Sequence, residues 1–337
     1  MVTCSIVLAT FDGARYLPQQ LESIRLQTRP PDELIASDDG SSDDTSQILA
    51  AFATDAPFPV RLVDGPKQGC AQNFWRAANL ASGDVIAWSD QDDVWHPDKL
   101  RLSLGALAST HADMISHAAA VVGPALQPLG RKYPSYRTTR VLGPLQGDPL
   151  HVPSGFASAF RRSLLDEIAW DQRPQSHQHK YPLPHDHAVS LMAFARHKRV
   201  ELADVLAQYR QHGSNLAGAP KTSGLSQQLR RALRTSGADY EQLAERLAGY
   251  AAWLERSDAL EAGQYFRRFA EKAVFRSQAR SAPRITARCT SLGKAVWTGA
   301  YRVPDKAGFG PKAFANDVAS ISMHIALYVS RRLASTS

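Results

Sequence analysis

Cysteine is scarce in this chain: Cys4, Cys70 and Cys289 are the only three in 337 residues, odd in number, far apart and without a C-x-x-C pair. That excludes a disulfide framework and suits a reducing, cytoplasmic compartment. Long uncharged apolar runs are lacking too, so no stretch approaches the length needed to span a bilayer. The apolar start, residues 1–10, has no basic flank and no cleavage-like site, and Asp12 ends it. It reads as a first buried strand rather than a signal peptide. No internal repeat is evident. Acidic residues thin out toward the end: residues 225–337 hold 18 Lys+Arg against 9 Asp+Glu, a net of +9, whereas residues 1–224 carry a net of −2. A basic appendage suits anionic lipid head groups, nucleic acid or an acidic partner, although solvated arginine-rich helix faces are its ordinary explanation.

A hydrophobic content of 44% supports a globular core. Strand-like and helix-like segments alternate through the first half. Residues 4–9, 34–37, 60–63 and 85–88 read as strands, and 16–26, 45–52, 72–80 and 97–108 as helices. Leu17, Leu21 and Ile24 give the first helix its apolar stripe, and Pro30-Pro31 separates it from the next strand. This order predicts an α/β fold, a mostly parallel sheet flanked by helices, with the strand ends gathered on one edge. Further strands are expected at 114–122 and 205–209, a helix at 187–197, and a loop rich in Gly and Pro over 124–150. From residue 225 onward the pattern is mainly helical.

Two strand ends are acidic. Asp90-Gln91-Asp92-Asp93 follows Val85-Ile-Ala-Trp88, and Asp38-Asp39-Gly40 follows Leu34-Ile-Ala36. Carboxylates crowded at a sheet edge repel one another unless a hard divalent cation neutralises them. Carboxyl ends of strands are also where open α/β sheets bind ligands. Asp43 and Asp44 read as acids in the first turn of a helix starting near Ser42. Asp38 and Asp39 stand before that turn, where a carboxylate can accept the ring N–H of a uracil or thymine base. One tip would then hold the base, and the other a metal–diphosphate.

The chain resembles the family 2 glycosyltransferases in Ser5-Ile-Val-Leu-Ala-Thr-Phe-Asp-Gly13, Ser23-Ile-Arg-Leu-Gln-Thr28, Asp38-Asp-Gly-Ser41 and Ser89-Asp-Gln-Asp-Asp-Val-Trp95. Pro153-Ser-Gly-Phe-Ala-Ser-Ala-Phe-Arg-Arg162, His185-Asp186 and Tyr209-Arg-Gln-His-Gly-Ser-Asn215 resemble the rhamnosyltransferase-like bacterial branch. The resemblance covers residues 3 to about 217. It implies a GT-A fold over residues 1–224, a nucleotide-binding half to about 110 and an acceptor half beyond, followed by a basic helical region, 225–337. It also implies an inverting transfer dependent on Mg²⁺ or Mn²⁺, from a nucleotide-sugar donor (dTDP-linked as the first guess) to a glycan or lipid-linked acceptor in surface polysaccharide synthesis. The enzyme would work in the cytoplasm, on the inner face of the membrane, with no nucleic acid partner.

By this resemblance Asp92 is the metal ligand and Asp90 contacts the ribose, or the metal through water. Asp93 is a second ligand or the cap of the next turn, and His212 completes the metal shell or binds the diphosphate. Thr10, Asp12 and Asp39 belong to nucleotide binding, and Lys67 and Asn73 to the wall of the base pocket, unless they merely cap a helix. Asp186 is the base, with a plain helix N-cap as its alternative. Gly155, Phe156, His185 and Arg210 fall to the sugar and acceptor side. An aromatic often follows the base in the family; His187-Ala188 stands there instead, which bears on acceptor contacts.

Three competing readings remain at this level. A sugar nucleotidyltransferase also uses acidic strand tips, but it needs a Gly-rich basic loop, and residues 10–16 offer only Gly13 and Arg15. A non-catalytic carbohydrate-binding protein could keep the fold. A zinc site from His177, His179, His185 and His187 lacks cysteine ligands and has two prolines in its loop.

Overall fold

The computed structural model describes residues 2–175, 181–213, 215, 235–282, 284–299 and 313–322. The chain divides into two compact units. One comprises Met1–Gln146, Val152–Trp170 and Pro184–Pro220, and the other Gly147–His151, Asp171–Leu183 and Lys221–Ser337. The second unit thus takes in two short segments from within residues 1–224.

The first unit is a ten-stranded sheet in the order β3-β2-β1-β4-β9-β6-β10-β5, with β7 on β6 and β8 on β10. β1 (Cys4–Thr10) is buried along its whole length, as a strand covered on both faces must be. β2 (Glu33–Asp38), β3 (Val60–Asp64) and β4 (Val85–Ser89) run parallel to it, so their carboxyl ends share one edge. α1 (Leu17–Arg25) buries the expected stripe of Leu17, Leu21 and Ile24. α2 (Thr45–Asp55), α3 (Cys70–Ala78) and α4 (Lys99–Thr110) complete the crossovers. Gly83 is required before β4, because a Cβ there would lie 2.7 Å from the Ser5 nitrogen.

The sheet is mixed rather than mostly parallel. β6 (Met114–Val122) and β10 (Arg199–Arg210) are parallel to each other, but β9 (Ser158–Arg161) runs antiparallel between β4 and β6. No crossover helix precedes β9. It leaves a one-turn 3₁₀ segment, Gly155–Ala157, and so runs away from the edge where β4 and β6 end. The expected loop over 124–150 also contains β7 (Pro128–Lys132) and β8 (Arg140–Leu142), short and largely exposed strands with no buried apolar face to reveal them. β5 (Val94–Trp95) pairs antiparallel with Gln208 and Ala207, which carries the acidic tip to the end of β10. α5 (His185–Arg196) starts two residues earlier than its periodicity indicates.

In the second unit, α6 (Gly237–Arg256) and α7 (Leu260–Ser281) form an antiparallel pair, followed by α8 (Ile285–Trp297) and a helical stretch over 313–322. Ser236 and Asp239 cap α6 reciprocally. Trp253, Leu254 and Phe266 are fully buried. So are two arginines: Arg276 Nε donates to Asp317 Oδ2 at 2.7 Å and Arg280 Nε to Asp317 Oδ1 at 2.6 Å, while Arg276 also reaches the Tyr240 hydroxyl. Removing one partner of a buried ion network strands the others without solvent. Asp317→Ala is therefore expected to destabilise this unit by about 3–5 kcal/mol in denaturant titrations. Replacing all three charges by Met and Leu should recover most of that loss. An unchanged midpoint for Asp317→Ala would show that the network carries no stability.

Candidate active site

The acidic tip follows directly from β4. Asp90, Asp92 and Asp93 bring one carboxylate oxygen each within 4.8 Å of one another. Burial, then Asp92 and Asp186, push the Asp90 carboxyl up to about 8. Burial, then Asp92 and Asp90, push Asp93 well above the usual carboxylate range. Asp93 is fully buried and its Oδ2 has no hydrogen-bond partner, while Oδ1 accepts the Arg210 N–H at 3.0 Å. An orphaned carboxylate oxygen beside two further carboxylates fits a hard divalent cation. Asp92 would hold it, with Asp90 and Asp93 adjacent. His212 brings nitrogen to the same place: its Nε2 lies 2.7 Å from Asp92 Oδ2, which also accepts from Asn215 Nδ2 at 3.3 Å.

Tyr16 and Arg210 shape this end. The Tyr16 ring stacks on His212 with centroids 4.7 Å apart, and the Arg210 guanidinium lies 4.6 Å from the other ring contact, the Tyr16 centroid. The resemblance assigns Arg210 to the sugar and acceptor side. Instead it is 1% exposed and donates inward to the Asp92 carbonyl, the Pro124 carbonyl and Gln19 Oε1. Its donors are spent holding the loop that carries Asp92.

The tips of β1 and β2 form the opposite wall. Asp39 is 9% exposed, and its two oxygens accept the backbone N–H groups of Lys67 (2.7 Å) and Gly69 (2.8 Å). Each oxygen keeps a second lone pair for a ligand donor. Gly65 has to be glycine, since a Cβ would sit 2.7 Å from Asp39 Cα. Lys67 is exposed and its side chain lies across Gly40. Asp38, treated with Asp39 in the sequence, is a turn residue: it accepts from the Thr10 hydroxyl and from the Ser41 N–H and hydroxyl. Thr10 is 2% exposed and acts through that bond. Asp12 is exposed and accepts the Ser42 N–H at 2.7 Å. Asn73 is 1% exposed and its side chain exchanges hydrogen bonds with Ser37, so it braces the pocket wall from behind. Gln91, unremarked in the sequence, clamps Phe11: its Oε1 accepts the Phe11 N–H and its Nε2 donates to the Phe11 carbonyl.

On the third side Asp186 stands in the first turn of α5, with Pro184 rather than Asp186 at the N-cap. Its Oδ1 accepts the His187 N–H at 2.9 Å and its Oδ2 the Gly155 N–H at 3.2 Å. Burial works against its ionisation, but His185, His187 and those two N–H groups outweigh it and hold the carboxyl below the usual range. The Cys70 thiol at the start of α3 is pushed up by burial and then by the charges of Asp90, Asp186, Asp39 and Asp92. Phe156 and His185 do not present side chains to a sugar. Phe156 is 1% exposed and stacks on Tyr209, and His185 packs between Phe74 (4.1 Å) and Trp88 (5.0 Å). Gly155 serves through its N–H. Of the four histidines of the zinc reading, His177 and His179 lie outside the described residues, and the ring of His185 is committed to the core. Lys99, missed in the sequence, is buried behind the acidic tip. It falls in line with Ser103 and Leu107 on the buried stripe of α4, which is the signal that could have found it.

Comparison with known proteins agrees with this geometry. The family model described as Glycosyl transferase family 2 matches residues 5–169. An uncharacterised glycosyltransferase of Nostoc sp. is 25% identical over 225 residues, 65% of this chain and 68% of that protein. The dTDP-rhamnosyl transferase RfbG of Shigella flexneri is 31% identical over 114 residues, which is 32% of this chain and 39% of its own length. The crystal structure of S. aureus TarS 1–349 with UDP-GlcNAc superposes with a TM-score of 0.53 at 16% identity, over 88% of this chain and 89% of that one, and supports the fold. Acidic strand tips, the matched domain and the shared architecture together identify residues 5–169 as a family 2 glycosyltransferase domain, with the GT-A type of fold.

Proposed function

We propose that this glycosyltransferase moves a sugar from a nucleoside-diphosphate donor to a hydroxyl of a glycan or lipid-linked acceptor, with inversion and with Mg²⁺ or Mn²⁺ at the acidic tip. The observation that carries the reading is the acidic tip, where Asp90, Asp92 and Asp93 bring one oxygen each within 4.8 Å and the buried Asp93 Oδ2 has no hydrogen-bond partner. A divalent cation bound at Asp92 would neutralise the charge that grows on the leaving diphosphate. Asp39 accepts the ring N–H of the base, and Asp12 and Lys67, both exposed at the same edge, line the nucleotide. Asp186, kept ionised by its neighbours, takes the acceptor's proton as that oxygen forms its bond to the anomeric carbon and the bond to the diphosphate breaks. Attack from the side opposite the leaving group inverts the centre. Arg210, Tyr16 and Gln91 hold the tips in place without touching the reacting atoms.

The RfbG match favours a dTDP-linked rhamnose as donor. A screen of UDP-, GDP- and dTDP-sugars for Mn²⁺-dependent hydrolysis tests this. Turnover with dTDP-rhamnose above the others is the expected result, and release of sugar without any divalent cation would overturn the mechanism. The absence of a Gly-rich basic loop between β1 and α1 disfavours nucleotidyl transfer.

Peripheral attachment to an anionic membrane is the second part of the proposal. No helix among the described residues is long and apolar enough to cross a bilayer. The structure trims the charge available for such contact: Arg276, Arg280 and Arg288 of the basic region are buried. Of the basic region, residues 225–234, 283, 300–312 and 323–337 lie outside the described residues. Weak, salt-sensitive sedimentation with anionic vesicles, lost on removing residues 225–337, is expected. Equal absence of binding to neutral and anionic vesicles would discard membrane attachment.

A further inference from the structure

Lys99 is 1% exposed and is none of the residues given a part in the chemistry above. It is the first residue of α4, its ammonium lies 3.6 Å from the Trp95 ring centroid, and its Nζ donates to the Phe156 carbonyl. That carbonyl belongs to the 3₁₀ turn Gly155–Ala157, whose Gly155 N–H is bonded to Asp186 Oδ2. On the other side, Asp93 and Asp90 are the leading charges whose fields reach Lys99. One side chain therefore spans the element behind the acidic tip and the turn that faces the candidate base.

A buried amine is a poor way to fill core volume. An apolar side chain of similar shape avoids its desolvation penalty, so retaining a donor here needs a reason beyond packing. The Phe156 carbonyl supplies one. Phe156 is itself buried and its ring stacks on Tyr209, next to Arg210, whose N–H donates to Asp93. The turn is thus held from two directions, by Tyr209 through the ring and by Lys99 through the carbonyl. Loss of the second would leave that carbonyl buried and unbonded, and the turn free to shift along Asp186.

We propose that Lys99 is a positioning residue: by donating to the Phe156 carbonyl it holds the Gly155–Ala157 turn, and with it the N–H that orients Asp186, in register with the acidic tip. The role assigned to Asp186 rests on the glycosyl-transfer reading; the mechanical link does not.

Lys99→Met tests both. Amide exchange over 154–158 is expected to speed up by at least about tenfold, while β1, β2 and β4 keep their protection. Mn²⁺ affinity, read by electron paramagnetic resonance, should be equal or tighter, because a cation beside a cation site has gone. With the nucleotide sugar that the wild type turns over, kcat should fall at least about tenfold and the donor KM should change less than about twofold. Lys99→Arg, which keeps a donor, should recover part of both the protection and the turnover. Unchanged exchange over 154–158, or Mn²⁺ affinity lost in step with the rate, would overturn the proposal. A wild type that binds neither Mn²⁺ nor UDP or dTDP would sink the glycosyl-transfer reading instead, and the exchange comparison would still judge Lys99.

Discussion

Asp186→Asn is expected to lower the transfer rate by about 10²–10³-fold while leaving Mn²⁺-dependent binding of the nucleoside diphosphate within about twofold. An asparagine is the same size and its single carbonyl oxygen keeps one of the two bonds from the His187 and Gly155 N–H groups, while its NH₂ cannot accept the other. What it loses is the lone pair that takes a proton. The base acts on the acceptor, so the donor complex should form as before. Calorimetry with UDP and dTDP, beside turnover of the donor found in the screen, separates the two effects. If nucleotide affinity fell as far as the rate did, Asp186 would belong to the donor site and some other group would be the base.

The second large effect concerns the acidic tip, and it has two signs. Asp93→Asn should abolish most Mn²⁺-dependent activity, yet raise the melting temperature of the metal-free protein. Asp93 is fully buried, its Oδ2 has no partner, and Asp90 and Asp92 crowd it. Asparagine has neither a charge to bury nor a proton to take up, so the desolvation and repulsion that push the Asp93 carboxyl up no longer cost stability, and each kcal/mol gained corresponds to about 2–4 °C in a protein of this class. The stability sacrificed at this spot is what a cation would restore. The wild type should therefore melt higher with Mn²⁺ than in chelator, and Asp93→Asn should show little difference between the two. A variant that melts lower than the wild type in chelator would mean that Asp93 holds the tip together by itself.

Much of this arrangement was legible in the sequence because it depends on strand ends. A run such as Val85-Ile-Ala-Trp88 can only be a buried strand, and parallel pairing by crossover helices forces its acidic continuation onto the same edge as Asp39. Asp186 was legible through its motif rather than through periodicity, which starts the helix two residues late. The misreadings share a cause. Arg210, Phe156, His185 and Asn73 sit beside the site in sequence and in space, but their side chains turn inward to brace it, and a motif does not state which way a side chain points. The same holds for Asp38 and Asp39, adjacent carboxylates of which one closes a turn and the other faces the pocket. Lys99 was invisible for the opposite reason: a lysine in a helix is normally solvated, and only its register with Ser103 and Leu107 marks it as buried. The antiparallel entry of β9 followed from the Gly155–Ala157 turn, which no hydrophobic pattern announces.

The most direct test of the central claim, that the Asp90–Asp93 tip presents a divalent cation to a nucleoside diphosphate, is calorimetric titration of UDP and dTDP into the full chain with Mn²⁺ and with chelator. The wild type should bind its preferred nucleotide at least about tenfold more tightly with Mn²⁺, a difference of about 1.4 kcal/mol or more, and Asp92→Asn should erase that difference while keeping its fold. Equal affinity of the wild type with Mn²⁺ and with chelator, or an undiminished Mn²⁺ effect in Asp92→Asn, would contradict the assignment of this tip as the metal–diphosphate site.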